Sequence, residues 1–132
     1  MIRLTNNSSA LDAGSLVVGY ARVAYEDGAN LIWYREQITK HAANLKLVHG
    51  TTFVDVGTSP AARRPGFRAL VDVITMLKPS GLVIPSPRHL SANPQELGHL
   101  LTLLRAKHCA VLVVDSRTSV MLVEEKIRGG VA

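Results

Sequence analysis

Residues 16–24 read LVVGYARVA, a short apolar run that ends with a tyrosine, an arginine and two small or β-branched residues. The run lies between Gly14-Ser15 and the polar residues 26–28, and its composition predicts a buried strand. A buried strand that opens onto a polar turn is where α/β folds place ligands and chemistry. Arg22 lies inside this apolar strand, so it must find a partner or a ligand.

The rest of the chain alternates between apolar runs and stretches of helical periodicity. Further strands are predicted over residues 46–56, 82–84 and 108–114, and helices from Asn30 to Asn44, from Pro65 and from Asn93. Residues 119–127 favour an edge strand over a short helix, and Gly50 suggests a bulge. This order predicts a three-layer α/β fold with a mostly parallel sheet of four to five strands and right-handed connections.

Length and composition predict one domain over residues 16–128, preceded by a flexible arm of residues 1–15 and followed by a tail of residues 129–132. Cys109 is the sole cysteine, so it predicts core packing and a reducing compartment. No apolar run is long enough to span a membrane, and the N-terminus lacks a signal pattern, so we expect a cytoplasmic location without membrane contact.

The carboxyl ends of parallel strands gather arginines at one edge of the sheet. They are Arg22, Arg63, Arg64, Arg88 and Arg117. Together with a net charge of +5 and a pI of about 9.8, they could bind a phosphate, a sulfate or a nucleic-acid backbone, or form a solvated rim. For Arg22 there are two alternatives, a ligand site and a structural pair with Asp55.

Four motifs, in order, resemble the catalytic domain of the serine recombinases (resolvases and invertases). They are residues 20–24 (YARVA, against Tyr-Ala/Gly-Arg-Val-Ser), 55–59 (DVGTS), 64–70 (RPGFRAL) and Leu90-Ser91. Gln37 falls where the family has a glutamine on its first helix. The resemblance covers most of residues 16–115 and implies a resolvase-like fold.

The active site implied by the resemblance is degenerate. The catalytic serine corresponds to Ala24, whereas the two arginines of the first and third motifs are kept as Arg22 and Arg64. In the third loop an Asp-Arg pair becomes Arg88-His89, and the last arginine becomes Ala92. Residues 116–132 leave no room for the family's long helix and DNA-binding domain, so we expect no sequence-specific DNA recognition by that route.

The sequence therefore predicts a catalytically inactive, resolvase-like domain that acts as a binding or regulatory module for a protein or a DNA backbone, and that forms a homodimer. Arg22, Arg63, Arg64 and Arg88 are the predicted anion- or DNA-binding residues, and His89 lies on the same edge. No metal site or cofactor is expected, because the histidines lack ligand spacing. The alternatives are a small phosphate- or nucleotide-binding enzyme using Arg22 and Arg64, an atypical active recombinase, and a purely structural domain.

Overall fold

The computed structural model describes residues 2–6, 11–24, 29–57, 60, 63–114 and 120–124. In these residues a single sheet carries helices on both faces. Its strands are β1 (Ile2–Asn6), β2 (Leu16–Val23), β3 (Val48–Val56), β4 (Gly81–Ile84), β5 (Ala110–Val113) and β6 (Val120–Glu124). The helices are α1 (Leu31–Asn44), α2 (Pro65–Leu77) and α3 (Pro94–Ala106).

The strand order is β1-β6-β5-β4-β2-β3. The four strands β5, β4, β2 and β3 are parallel, which confirms the predicted α/β fold and its mostly parallel sheet. The sheet is wider than the predicted four to five strands, because β6 pairs antiparallel with β5 and β1 pairs antiparallel with β6. β6 confirms the strand that the sequence favours within residues 119–127.

The flexible arm predicted for residues 1–15 is wrong for the segment Ile2–Asn6, which forms β1. Ile2 lies opposite Glu124 and Asn6 lies opposite Val120 in the ladder with β6. Residues 2–5 alternate between apolar and polar side chains, which is a strand signal, but the run is short and precedes a stretch rich in Asn, Ser, Ala and Gly. Its backbone groups find their partners on a strand at the other end of the chain.

The alternating side chains of β2 divide the core between the two faces of the sheet. Val18 and Tyr20 pack with α2 and α3, whereas Val17 and Ala21 pack with α1. β2 is therefore buried on both faces, as expected for a central parallel strand.

A bulge in β3 adjusts its register with β2. Val17 lies opposite His49 but Gly19 lies opposite Thr52, so β3 holds one extra residue between these pairs. The bulge predicted from Gly50 is thus confirmed.

The helix starts follow two of the three predictions. α2 begins at Pro65, and the side chain of Asn93 caps α3 by accepting hydrogen bonds from Gln95 N (2.9 Å) and Glu96 N (3.0 Å). Asn30 makes no side-chain cap to α1, because its own backbone is already helical (φ −79°, ψ −8°). Here α1 instead continues from the short 3-10 turn that precedes it.

Candidate functional site

An open cleft of about 230 Å³ lies at the topological switch point of the sheet, beside β2. From β2 the chain first adds β3 on one side and then crosses to add β4 on the other. Ligands in open α/β sheets bind at the carboxyl ends of strands flanking such a point. The residues lining the cleft come from the end of β2 and the residue after it, from the loop after β4 and from α1. They are Arg22, Val23, Ala24, Tyr34, Arg88, His89 and Ala92.

Arg22 is held by backbone carbonyl groups at the floor of this cleft. Its Nη1 donates to Gly57 O (3.0 Å) and its Nη2 to Arg88 O (3.2 Å). Its Nε is buried and has no hydrogen-bond partner among the described residues. Burial, and then the positive charge of Arg64, lower the pKa of Arg22. An arginine nevertheless stays charged, so the cleft has a fixed cation whose buried Nε–H is unused.

Arg22 and Asp55, both in the described part of the chain, do not form the structural pair that was one alternative for Arg22. They lie opposite each other in the β2–β3 ladder, but the guanidinium binds backbone carbonyl groups instead. The Asp55 carboxylate is already occupied. It accepts hydrogen bonds from the Tyr20 hydroxyl (2.6 Å), Gly66 N (2.8 Å) and Phe67 N (2.8 Å). Asp55 thus satisfies two of the free backbone donors at the start of α2 from a neighbouring strand.

Gly66 allows this approach of α2 to β3. A Cβ atom at this position would overlap the carbonyl oxygen of Val54 and lie 2.9 Å from Asp55 Oδ2. The stretches 55–57 and 64–67 therefore build one junction between β3 and α2. Burial and then the hydrogen bond to Asp55 raise the pKa of Tyr20 above its ordinary range, so the Tyr20 hydroxyl stays protonated and serves as a donor in this junction.

His89 joins the ends of β2 and β4. It lies in the 3-10 turn Pro87–His89, and its Nδ1 accepts a hydrogen bond from the backbone N–H of Arg22 (3.0 Å). Burial, and then the charges of Arg22 and Arg88, lower the pKa of His89 to about 4. The imidazole is therefore neutral at pH 7, and because Nδ1 is an acceptor its proton resides on Nε2.

Arg64 lies beneath the cleft rather than in its lining. It is 4% exposed, donates to Leu90 O, hydrogen-bonds the Tyr20 hydroxyl and lies 3.5 Å from Glu96 Oε1. This position differs from the anion-binding role predicted for Arg64, because its guanidinium ties together β2, α3 and the loop after β4. Arg63 is exposed and is not among the residues that line the cleft.

The structure therefore brings together four of the predicted site residues, Arg22, Ala24, Arg88 and His89, and leaves out Arg63 and Arg64. Arg117 lies outside the described residues. Tyr34, on α1, is a lining residue that the sequence does not single out. It lines the cleft with its ring edge-to-face against His89, the ring centroids 4.6 Å apart.

Comparison with known proteins decides the family. Residues 17–126 match the model of the resolvase N-terminal domain. The chain belongs to the resolvase N-terminal domain family. This confirms the resemblance to serine recombinases, and the match spans the cleft and both cores.

Solved structures share the fold of this resolvase-type domain. The N-terminal catalytic domain of TP901-1 integrase superposes with a TM-score of 0.68 at 19% identity, covering 79% of this chain and 80% of that one. The C-terminal catalytic domain of ISC1926 TnpA, an IS607-like serine recombinase, gives 0.69 at 16% identity and covers 77% and 72%. A resolvase family site-specific recombinase from Streptococcus pneumoniae gives 0.67 at 15% identity and covers 80% and 75%. The sequence has no significant match among curated proteins.

Two other features are absent from the described part of this resolvase-type domain. No group of three or more His, Cys, Asp or Glu side chains there is placed to hold a metal ion. No helix there is both long and apolar enough to cross a membrane.

Proposed function

We propose that this domain is a catalytically inactive member of its family that acts by binding, and that its cleft receives a phosphate of a nucleic-acid backbone. The observation that carries the proposal is the position of Ala24. It lines the cleft beside Arg22, and the sequence resemblance assigns the family's catalytic serine to this position. An alanine has no group that could attack a phosphodiester and form a covalent intermediate.

The two described serines in the loop after β4, Ser86 and Ser91, are not among the residues that line the cleft. Ser91 is 3% exposed, donates to Glu96 Oε1 (2.7 Å) and accepts from Asn93 N (3.0 Å). A nucleophilic serine also needs a base, and His89 is a poor one. Its Nδ1 is engaged by the backbone and its pKa of about 4 leaves little affinity for a proton at neutral pH.

The groups that remain suit recognition of an anion. Arg88 lies at the rim, Arg22 holds a fixed charge on the floor, and His89 keeps its proton on Nε2 beside both. Charged donors make stronger hydrogen bonds to phosphate than neutral donors do. A net charge of +5 supports a polyanion over an isolated phosphate as the partner.

The proposed absence of DNA cleavage is tested by incubating the protein with supercoiled plasmid and with a labelled duplex, followed by denaturing electrophoresis. We expect neither nicking nor a protein–DNA adduct that survives denaturation. A serine recombinase catalytic domain with its serine intact is the positive control. A covalent adduct formed by the wild-type chain would refute the proposal.

Phosphate binding is tested by fluorescence anisotropy of a labelled oligonucleotide over a range of salt concentrations. Removing one phosphate contact lowers the slope of log K against log salt by about 1, so we expect Arg88→Ala to weaken binding and reduce the slope by this amount. Arg105→Ala is the matched control, because Arg105 is exposed at the opposite end of α3. Equal effects of the two substitutions would place the contact elsewhere.

We also propose that the domain forms a homodimer, as a regulatory or assembly module would. Light scattering of the chain, with and without DNA, measures whether two copies associate. A monomer under both conditions would contradict the homodimer but not the binding of a phosphate.

A further inference from the structure

A row of three aromatic rings leads from the cleft to the outer surface of α1. The ring of His89 lines the cleft and lies edge-to-face against Tyr34 at 4.6 Å between centroids. Tyr34 in turn lies edge-to-face against Trp33 at 5.2 Å between centroids. Trp33, Tyr34 and His89 are called the aromatic row below.

The outer end of this row is open to solvent. Trp33 is 56% exposed, whereas Tyr34 is partly buried and His89 is buried. Trp33 therefore contributes only part of its large apolar surface to the core of this chain. An exposed indole that packs edge-to-face against a neighbouring ring is suited to stacking against a flat partner.

The charge beside the row indicates what kind of flat partner fits. Arg22 and Arg88 lie in the same cleft as the inner end of the row. A basic groove next to an exposed aromatic side chain is the arrangement by which proteins bind single-stranded nucleic acids, with phosphates on the cations and bases on the rings. A duplex fits less well, because its bases are already stacked on each other and present only their edges.

We propose that the cleft and the aromatic row together bind single-stranded nucleic acid, with a backbone phosphate at Arg22 and Arg88 and an unpaired base stacked on Trp33. This inference rests on the proposed function for the phosphate and adds the class of nucleic acid. No bond is made or broken.

The test uses Trp33 as its own reporter, because it is the sole tryptophan of the chain. The full chain is titrated with a thymidine homopolymer, with an oligonucleotide of the same length that has abasic sites throughout, and with a duplex. The abasic strand keeps the phosphates and lacks the bases. We expect the homopolymer to quench the Trp33 fluorescence and to bind roughly 5- to 150-fold more tightly than the abasic strand, which corresponds to one stacked base.

Substitutions locate the effect. Measured with a labelled strand, Trp33→Ala is expected to lower the affinity for the homopolymer to that for the abasic strand, and Trp33→Phe to restore part of it. Met76→Ala is the matched control, because Met76 is also exposed but lies on α2, on the other face of the sheet. Circular dichroism verifies that each variant is folded.

The outcomes separate this inference from the proposed function. Equal affinity for the homopolymer and the abasic strand, with binding that depends on Arg88, would overturn the stacking on Trp33 and leave the phosphate site standing. A preference for duplex, or an unchanged affinity in Trp33→Ala, would also overturn the stacking on Trp33. Binding of none of the three strands would remove both proposals.

Discussion

We expect acidification to destabilise this domain through His89, whose imidazole is neutral in the folded state. Its Nδ1 accepts the Arg22 N–H, and two arginines lie nearby, so its pKa is about 4 when folded and 6.5 when the chain is unfolded. Between pH 6.5 and 4 the unfolded chain binds a proton at this residue that the folded chain does not. The free energy of unfolding therefore falls as the pH falls through this window.

The size of the effect follows from the two pKa values. A difference of one unit between the two pKa values corresponds to about 1.36 kcal/mol, so the full effect is about 3 kcal/mol. Between pH 7.5 and 5 the protonation of the unfolded chain accounts for roughly 2 kcal/mol of it. This is a large part of the stability of a domain of this size, about 5–15 kcal/mol.

The assay is urea unfolding followed by circular dichroism between pH 7.5 and 5, above the range in which most carboxylates titrate. His89→Asn is the test variant, because an asparagine Oδ1 can accept the Arg22 N–H in place of Nδ1 without titrating. We expect the variant to lose roughly 2 kcal/mol less than the wild type over this range. His49, whose pKa is also lowered by burial and by Arg35, contributes equally to both proteins and cancels in the difference.

The matched control is Met76→Asn on α2, which introduces an asparagine at an exposed position without removing a titratable group. It is expected to leave the pH dependence of the wild type in place. Parallel curves for the wild type and His89→Asn would show that His89 is not held neutral, and would refute both the pKa and the hydrogen bond on which the reasoning rests.

Three further predictions concern the framework beneath the cleft. Gly66→Ala is expected to destabilise the fold by roughly 2 kcal/mol or more, because its Cβ would overlap the Val54 carbonyl oxygen, whereas Gly50→Ala, with its nearest contact at 3.5 Å, is a milder control in the same unfolding assay. Asp55→Ala is expected to cost roughly 3 kcal/mol, because it leaves a tyrosine hydroxyl and two helix N–H groups without their acceptor; an unchanged unfolding midpoint would contradict this. Burial raises the pKa of the Cys109 thiol to about 12, so a thiol reagent at a pH of about 8 is expected to label it only as fast as the chain opens, and immediately in urea.

The elements that the sequence predicts are those whose signals are local. β2 carries a continuous apolar run, α2 has Pro65 at its start, and Asn93 caps α3 through its own neighbours along the chain. The family resemblance adds a signal that is not local, because it predicts a shared site for Arg22, Ala24 and the loop after β4. All three line the cleft.

What sequence reasoning missed depends on partners that are distant along the chain. β1 pairs with β6 from the other end of the chain, and its own alternation of apolar and polar residues is too short to establish a strand without that partner. A pair of Asp55 with Arg22 is expected because the two are neighbours across the sheet. The donors at the start of α2 and the hydroxyl of Tyr20 take the carboxylate instead, since buried backbone N–H groups must find an acceptor.

The positions that match the family and those that depart from it agree with the proposed loss of catalysis on a retained fold. The motif residues that match the family include Asp55 and Arg64, and both are buried and bonded to groups that join one element to another. The positions that depart from the family pattern, at 24, 88, 89 and 92, all line the cleft. A fold that still needs its junctions retains the first group whether or not it reacts. Under the proposed function, loss of chemistry would free the second group, whereas Arg22, which matches the family and also lines the cleft, would keep a charge for an anion beside Arg88 and a neutral His89.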